Sequence, residues 1–443
     1  MRGVEGALRV IERVEGGAFA SEALRRLYGD IEPTERKLTG SLVYLTLRRL
    51  GLWRHLAALY CSRPPQYLRK DALRAILVGI AGLVELKNFS RAVLVNSIVG
   101  IVKSADRDKD KKEAPLVNAV LRAASEKAGG YIETLETSHA LRDNALSAGV
   151  PGWVAAKWNE DYDMGAAKKL LRASREQTFM SLRASPNTDV DEWAAAYDGA
   201  GVSDFMEYSV RLASNPYPPE LPGYAEGRVT PQGEASMWAV ESLLSRWSGG
   251  RLLDMCTGRG VKAGHILSRR DNAALEGWDI SAPRIKAAAR EIGRIGASDR
   301  AEFIRGDALA LEPKEIPSAI LIDAPCSGSG TWGRHPEGKW RVSPEGVKKN
   351  AETQKKLLAR AADILPKGGI LMYCTCSLFR DENENVVGDI MASRNDLAEL
   401  PPKQGSISRN SGDFMKKGRP YGTLIFPSPP WIDGFYAAML VKK

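Results

Sequence analysis

The 443-residue sequence predicts an all-α amino-terminal domain joined to an α/β domain with a mixed, mostly parallel, doubly wound sheet. Two observations predict this division. Through about residue 125, apolar residues recur at the three- and four-residue spacing of amphipathic helices. After Gly233, nearly continuous apolar runs alternate with helical segments, as in a parallel sheet covered on both faces. We therefore expect a helical domain at 1–130, a linker and small connector subdomain at 131–230, and an α/β domain at 231–443.

The elements follow in chain order. The helices expected in the first domain are Val4–Arg13, Ala18–Leu27, Arg36–Leu50, Lys70–Leu86, Arg91–Val102 and Pro115–Ala124. A linker-like region is expected at 128–148. The strands expected in the α/β domain lie at 251–256, 274–280, 301–307, 318–324 and 368–375, with two more at 423–429 and 434–442. The helices expected between them are Val261–Arg270, Pro283–Ile295 and Gly346–Leu365.

The excess positive charge lies in the first third of the chain. Residues 1–130 carry 23 Lys+Arg against 14 Asp+Glu, whereas residues 131–443 carry 40 of each. This asymmetry suggests a polyanion-binding module joined to a neutral one, although a solvated basic surface accounts for the charge alone equally well. The longest apolar run, at 75–84, is about half the ~20 residues of a spanning helix, and no secretion signal is evident. Five scattered cysteines favour a reduced, cytoplasmic protein without a membrane partner.

Three strand ends carry residues suited to a nucleoside cofactor. The first strand runs into DMCTGRGVKAG (254–264), where Gly258 and Gly260 allow a tight turn before a helix. Asp279 ends the second strand at a distance along the chain that suits a ribose hydroxyl. Asp307 ends the third strand, where its carboxylate could accept from an adenine amino group. Because one pair of glycines does not distinguish one nucleoside cofactor from another, NAD remains a rival cofactor.

Two cysteine-bearing loops are expected to meet at the same edge of the sheet. The fourth strand ends at Asp323 and continues into APCSGSG (324–330), and the fifth ends at Thr375, directly before Cys376. In a doubly wound order these strands are neighbours. Cys326 and Cys376 should therefore share one cleft, with their sulfur atoms no more than ~10 Å apart, as covalent catalysis requires.

These loops carry a resemblance to a known family. DAPCSGSG (323–330) paired with YCTCSL (373–378) resembles the RNA 5-methylcytosine methyltransferases, which use S-adenosyl-L-methionine. VNSIVG (95–100) and LVNAVLR (116–122) resemble the NusB-like RNA-binding domain of members that act on small-subunit ribosomal RNA. Other similar segments are PGWVAAKW (151–158), GRVTPQGEAS (227–236), GRHPEGKW (333–340), DENENVV (381–387) and DGFYAAML (433–440). The likeness covers nearly the whole chain and implies a Rossmann-like methyltransferase domain.

The resemblance also implies a role for each residue type. Carbon 5 of cytosine is a weak nucleophile until a thiolate adds to carbon 6, and Cys376 is the implied nucleophile. Cys326 would assist release of the product, and Asp323 would protonate or hydrogen-bond ring nitrogen 3. Lys262 would support the base or the thiolate. The target base must be unstacked to enter such a cleft. Cys374 is expected to be only a small buried side chain.

The cofactor residues implied by the resemblance are Cys256, Thr257, Gly258, Arg259, Gly260, Val261, Lys262, Asp279, Arg284, Asp307 and Asp323. The loop reads Cys-Thr-Gly-Arg-Gly-Val-Lys-Ala, where the family usually has Cys-Ala-Ala-Pro-Gly-Gly-Lys-Thr. Contacts within this loop should therefore differ from those of relatives. Arg259 could reach the carboxylate of the cofactor or an RNA phosphate.

Several alternatives remain open. A zinc site could recruit Cys256, Cys326, Cys374 and Cys376, but the C-x₂-C spacing is absent and we expect no metal. A thiol oxidoreductase would use C-x-x-C rather than C-x-C. A DNA cytosine methyltransferase would use Cys326 as its nucleophile. A non-catalytic RNA-binding or antitermination-like protein would leave the cysteine pair unexplained, and transfer RNA is the alternative substrate. We expect a monomer.

Overall fold

The computed structural model describes residues 2–105, 113–401, 403, 415–416 and 420–443. The chain forms two compact units. The helical unit comprises residues 1–175 and 335–341, and the sheet unit comprises residues 176–334 and 342–443. The domain boundaries expected near residues 130 and 230 remain predictions.

The helical unit is built around one apolar helix. Its helices are α1 (Arg2–Glu15), α2 (Ala20–Tyr28), α3 (Pro33–Arg48), α4 (Leu50–Tyr60), α5 (Lys70–Glu85), α6 (Arg91–Ala105), α7 (Ala114–Thr137), α8 (Leu141–Ser147), α9 (Gly152–Asp161) and α10 (Met164–Ala173). Helix α5 is apolar nearly all round, which is typical of a helix buried on every side, and it contacts α1, α3, α4, α6 and α7. A methyl group on Gly79 would lie 2.5 Å from Leu121, so this glycine allows α5 and α7 to approach closely.

All six helices predicted in the first domain are present, with two differences. The sequence prediction missed α4, because only Arg49 separates it from α3 and the apolar pattern runs across the break. The prediction of a linker-like region at 128–148 is wrong, since α7 continues to Thr137 and α8 follows it. Ala128, Ile132 and Leu135 are buried at helical spacing, so the signal was present although Gly129 and Gly130 weakened it.

A short segment from later in the chain completes the helical unit. Pro336–Trp340 forms a 3₁₀ turn within residues 335–341. The Lys339 side chain is fully buried, and its Nζ donates to the carbonyl oxygens of Arg48 at 2.8 Å, Ala148 at 3.3 Å and Ser174 at 2.7 Å. Burial and nearby arginine charges hold the pKa of Lys339 well below its usual value. This lysine therefore satisfies three carbonyl groups that the core would otherwise leave unpaired.

The sheet unit begins with a small antiparallel sheet. Its strands are β1 (Ser181–Ala184), β2 (Ala200–Val202), β3 (Ser209–Leu212) and β4 (Val229–Pro231), in the order β2-β3-β1-β4, with helix α11 (Val190–Ala196). A separate apolar cluster, which includes Leu182, Trp193 and Val210, lies against this sheet.

A larger sheet forms the rest of the unit. Its strands are β5 (Gly250–Asp254), β6 (Ala273–Asp279), β7 (Ala301–Arg305), β8 (Ala319–Asp323), β9 (Ile370–Thr375), β10 (Leu397–Glu399), β11 (Met415–Lys416), β12 (Thr423–Ile425) and β13 (Phe435–Lys442). The helices are α12 (Glu234–Leu244), α13 (Val261–Arg269), α14 (Ala282–Arg294), α15 (Pro344–Ile364) and α16 (Glu384–Ser393). The order is β11-β12-β13-β9-β8-β5-β6-β7, with β10 beside β13.

The strand directions confirm the predicted fold class. Strands β9, β8, β5, β6 and β7 are parallel, and β13 joins the sheet antiparallel to β9. The strand order reverses beside β5, because β6 and β7 lie on one side of it and β8 and β9 on the other. Ligands of such sheets bind at the carboxyl ends of the strands near this reversal. Among the described residues, no helix is both long enough and apolar enough to cross a membrane.

Candidate active site

Two thiols meet where β8 and β9 end. The two strands pair in parallel, with Asp323 opposite Cys374, so the loops that follow them start side by side. The Sγ atoms of Cys326 and Cys376 are 3.4 Å apart, which confirms the predicted convergence. The contact with Cys376 and burial raise the pKa of Cys326 well above its usual value. Cys326 therefore stays a protonated thiol at neutral pH.

An ion pair lies beside the thiols. Lys262, in the first turn of α13, places its Nζ 2.5 Å from Oδ2 of Asp323 at the end of β8. The Lys262 side chain is only 12% exposed, and its ammonium lies 5.3 Å from the centre of the Phe435 ring. Burial opposes the charge, but Asp323, with Cys374 and Cys376, raises the pKa of Lys262 above its usual value. The site therefore holds a fixed cation next to a carboxylate that is 38% exposed.

The other two cysteines of the sheet unit are poor nucleophiles. Cys374 is fully buried, as expected of a small core residue, and burial raises its pKa. Burial likewise raises the pKa of Cys256, with Asp254 adding to the effect. Within the described parts of the chain, no group of three or more His, Cys, Asp or Glu side chains is placed to hold a metal ion.

The glycine loop after β5 is shaped as the sequence predicted. Gly258 and Gly260 have φ values of +58° and +79°, in the left-handed region that favours glycine. A Cβ on Gly260 would lie 2.9 Å from the Cα of Ala288, so this glycine also allows the loop to approach α14. Helix α13 begins at the next residue, Val261.

Asp279 ties this loop to the end of β6. Its Oδ2 accepts from the backbone N–H of Gly258 at 3.1 Å, and its Oδ1 accepts from that of Ser281 at 2.8 Å. Arg284 lies 3.6 Å from the same Oδ2 atom. Asp307 lies two residues beyond the end of β7, rather than at the end of the strand, and is exposed. Arg259 is also exposed.

The residues at these strand ends fit a nucleoside cofactor. The space beside Gly258 is open, since a Cβ there would meet no atom closer than 4.0 Å. Ile280, directly after Asp279, leaves 69% of its surface exposed, which offers an apolar face to a base. The Asp307 carboxylate is exposed two residues beyond the end of β7, the strand that pairs with β6, and it keeps acceptor capacity beyond its bond from the Leu309 N–H. The arrangement can therefore supply a flat apolar contact and hydrogen-bond acceptors.

Sequence reasoning missed two buried carboxyl groups of this site. Asp254, at the end of β5, is 1% exposed, and burial, with the charge of Asp323, raises its pKa to about 7. Glu382 is fully buried and bonds to the residues that follow both thiols. Asp254 lies in the glycine-loop segment 254–264 and Glu382 in the segment 381–387, which resembles the family. The sequence alone does not show that either carboxyl group is buried at the site.

Comparisons with known proteins agree with this geometry. Residues 242–441 match the family model described as 16S rRNA methyltransferase RsmB/F, and residues 5–126 match the model of the NusB family. A ribosomal RNA small subunit methyltransferase B from Klebsiella pneumoniae (strain 342) is 29% identical, covering 99% of this chain and 97% of that protein. The protein of the same name from Shewanella oneidensis is 28% identical, covering 98% of each chain.

A solved structure shares the fold over nearly the whole chain. The crystal structure of PH0851 has a TM-score of 0.78 at 20% identity and covers 99% of this chain and 98% of its own. At this identity the likeness shows the fold alone. The family matches favour a methyltransferase over the NAD-dependent and zinc-binding alternatives.

Proposed function

We propose that this chain, which matches the RsmB/F family model of 16S rRNA methyltransferases over residues 242–441 and the NusB family model over residues 5–126, methylates carbon 5 of a cytosine in small-subunit ribosomal RNA. It is an RNA methyltransferase. The observation that carries the cytosine-5 reaction is the pair of thiols, 3.4 Å apart, beside the Lys262–Asp323 ion pair. A methyl transfer to carbon 5 needs a nucleophile to activate the ring and a second group to help release it.

Cys376 is the nucleophile in this proposal. Its thiolate adds to carbon 6 of the ring, and carbon 5 takes the methyl group from the donor sulfonium, which leaves as a thioether. The carbon 5 proton then passes to water acting as the base, and the carbon–sulfur bond breaks to restore the ring and the Cys376 thiolate. Asp323 protonates or hydrogen-bonds ring nitrogen 3, where negative charge develops, and for this its carboxyl group must carry a proton. The Lys262 ammonium, 2.5 Å from Oδ2 of Asp323, balances the charge of the attacking thiolate. Cys326, which stays protonated in the resting enzyme, acts in the release step.

The methyl donor proposed is S-adenosyl-L-methionine, whose sulfonium supplies an electrophilic methyl group. The glycine loop at 257–261 would hold its amino-acid portion, with Asp279 and Ile280 near the ribose and the base. Arg284 would act through its contact with Asp279, and Asp307 would accept from the amino group of the base. The exposed Arg259 could reach the donor carboxylate or an RNA phosphate.

RNA binding is assigned to the helical unit. The excess of nine positive charges falls within residues 1–130, which include the NusB-family match. Contacts of Lys and Arg with phosphates release counterions, so RNA affinity should fall steeply as salt rises. Equal affinity at 50 and 200 mM salt would contradict this assignment. We propose further that the protein is a cytoplasmic monomer.

The test compares the wild type with Cys376→Ala, Cys326→Ala and Cys61→Ala. Each protein is incubated with methyl-labelled S-adenosyl-L-methionine and protein-free ribosomal RNA, and methylated RNA and covalent protein–RNA adducts are measured. Cys376→Ala should give neither, Cys326→Ala should accumulate adduct, and Cys61→Ala, which removes a thiol of the helical unit, should match the wild type. Reversed outcomes for Cys376 and Cys326 would refute the assigned roles. A wild type that binds the cofactor but transfers no methyl group would refute the substrate.

A further inference from the structure

A single buried carboxylate lies beneath both cysteine-bearing loops. Glu382 is 0% exposed. Its Oε1 accepts from the backbone N–H of Ser327 at 2.8 Å and from the side-chain amide of Asn350 at 2.9 Å. Its Oε2 accepts from the hydroxyls of Ser327 and Ser377, each at 2.5 Å. One side chain thus binds two loops that are 50 residues apart in sequence.

These two serines are the residues that follow the two thiols. Ser327 comes directly after Cys326, and Ser377 comes directly after Cys376. The serine hydroxyls lie 3.2 Å from each other, close to the 3.4 Å that separates the Sγ atoms. Any movement of one loop away from the other must therefore break bonds to Glu382.

The next residue strengthens the attachment of the nucleophile loop. Oδ1 of Asn383 accepts from the hydroxyl of Thr375 at 2.5 Å, and its Nδ2 donates to the carbonyl oxygen of Ser377 at 2.9 Å. Thr375 and Ser377 flank Cys376 on either side, and both are fully buried. Glu382 and Asn383 together therefore fix the backbone on both sides of one thiol and after the other.

Packing alone does not account for a carboxylate at this position, because burying a charged group is energetically unfavourable. Burial raises the pKa of Glu382, whereas its bonds from Ser327, Ser377 and Asn350 act in the opposite direction. Within the described part of the chain its partners are hydroxyls, side-chain amides and a backbone N–H, and no ion pair there offsets the cost of burying the charge. A carboxylate can, however, accept several bonds at once, which a smaller polar or apolar side chain could not do.

We propose that Glu382 is a positioning residue that sets the separation between Cys326 and Cys376 by holding Ser327 and Ser377 together. The consequence for catalysis rests on the proposed function, because the release step requires both thiols at one base. Loss of Glu382 should let the two loops separate. Release of the methylated product should then slow more than cofactor binding or the first attack of Cys376.

The direct test measures thiol proximity without RNA or cofactor. Phenylarsine oxide binds tightly only where two thiols can bridge its arsenic atom, so it reports on the Cys326–Cys376 separation. The wild type should bind one equivalent, and Cys326→Ala should abolish this binding, which identifies the pair. Glu382→Ala should weaken binding at least tenfold, and Glu382→Gln, which keeps hydrogen-bonding groups in the same place, should stay within about threefold of the wild type.

Two further variants separate positioning from a general loss of stability. Glu234→Ala is the matched control, because Glu234 is also fully buried but bonds to Ser209 and Arg211 and to neither cysteine-bearing loop. It should bind phenylarsine oxide as the wild type does. If Glu382→Ala does not fold, the double variant Ser327→Ala/Ser377→Ala takes its place, since it removes the two hydroxyl bonds and no buried charge.

The activity readout is single-turnover adduct formation and product release. Glu382→Ala should slow release at least tenfold more than adduct formation, with the Kd for S-adenosyl-L-methionine within twofold of the wild type. Wild-type binding of phenylarsine oxide by both Glu382→Ala and the double serine variant would overturn the proposal. A wild type that forms no adduct, together with weakened arsenical binding by Glu382→Ala, would refute the proposed function and leave the positioning role supported.

Discussion

Substitution of Lys262 by methionine tests the electrostatics of the site most directly. Methionine keeps an unbranched side chain that can pack against Phe435, and it removes only the ammonium group. Asp323 would then lose the partner 2.5 Å from its Oδ2 atom. The thiolate of Cys376 would also lose the nearby positive charge.

The size of the effect follows from the exposure of the pair. Lys262 is 12% exposed, but Asp323 is 38% exposed, so water screens part of the attraction. A charge-assisted hydrogen bond at such a site contributes about 1–3 kcal/mol. If this stabilisation acts on the charge that develops during attack, the rate of methyl transfer should fall about 10–100-fold.

The assay is single-turnover methyl transfer at saturating S-adenosyl-L-methionine and RNA. Lys314→Met is the matched control, because Lys314 forms an exposed ion pair with Glu302 in the same unit. We expect this control to retain wild-type rates, since exposed pairs contribute little. A Lys262→Met enzyme within threefold of the wild-type rate would refute the reasoning.

Three further predictions concern stability and are checked by urea unfolding. Gly260→Ala should lower the free energy of unfolding by about 1–3 kcal/mol more than Gly296→Ala does. Both glycines have positive φ, but only a Cβ at position 260 would contact Ala288. Equal losses in the two variants would contradict this. Asp254 should hold a proton up to about pH 7, whereas the unfolded chain releases it near pH 4, so its contribution to stability is present at low pH and lost as pH rises. Between pH 4 and 8, Asp254→Asn should reduce the fall in the free energy of unfolding by up to roughly 4 kcal/mol. An unchanged dependence of that free energy on pH would contradict this. Lys339→Met should destabilise the helical unit by roughly 2–4 kcal/mol, since three carbonyls lose their donor, and wild-type stability would refute that role.

The sequence predicted the parallel strands of the larger sheet because such strands leave a strong local signal, whereas it did not predict the short strands β1–β4 of the small antiparallel sheet. The apolar runs of the larger sheet, with β-branched residues and glycine turns between them, identified all five parallel strands and the two that close the chain. The signal was weaker in the helical unit. There Gly129 and Gly130 interrupt the pattern of α7, and tertiary packing of its buried face outweighs their low helix propensity.

The positions of Cys326 and Cys376 could be predicted for a topological reason. Neighbouring parallel strands end at one edge of the sheet, so residues just after both ends must lie close together. The same reasoning placed Gly258, Asp279 and Asp323 at that edge. Topology could not predict the hydrogen bonds among these residues, such as the one that the Gly258 N–H donates to Asp279.

The sequence by itself thus determined the fold class, the edge of the sheet that carries the chemistry and the two thiols that meet there. Only the tertiary structure decided which buried groups hold that chemistry in place. At the site, Glu382 bonds to Ser327, 55 residues earlier in the chain. The core of the helical unit follows the same rule, since Lys339 bonds there to Arg48, 291 residues earlier. The physical reason is that apolar periodicity records which face of an element is buried, whereas the partner of a buried polar group depends on the paths of distant loops.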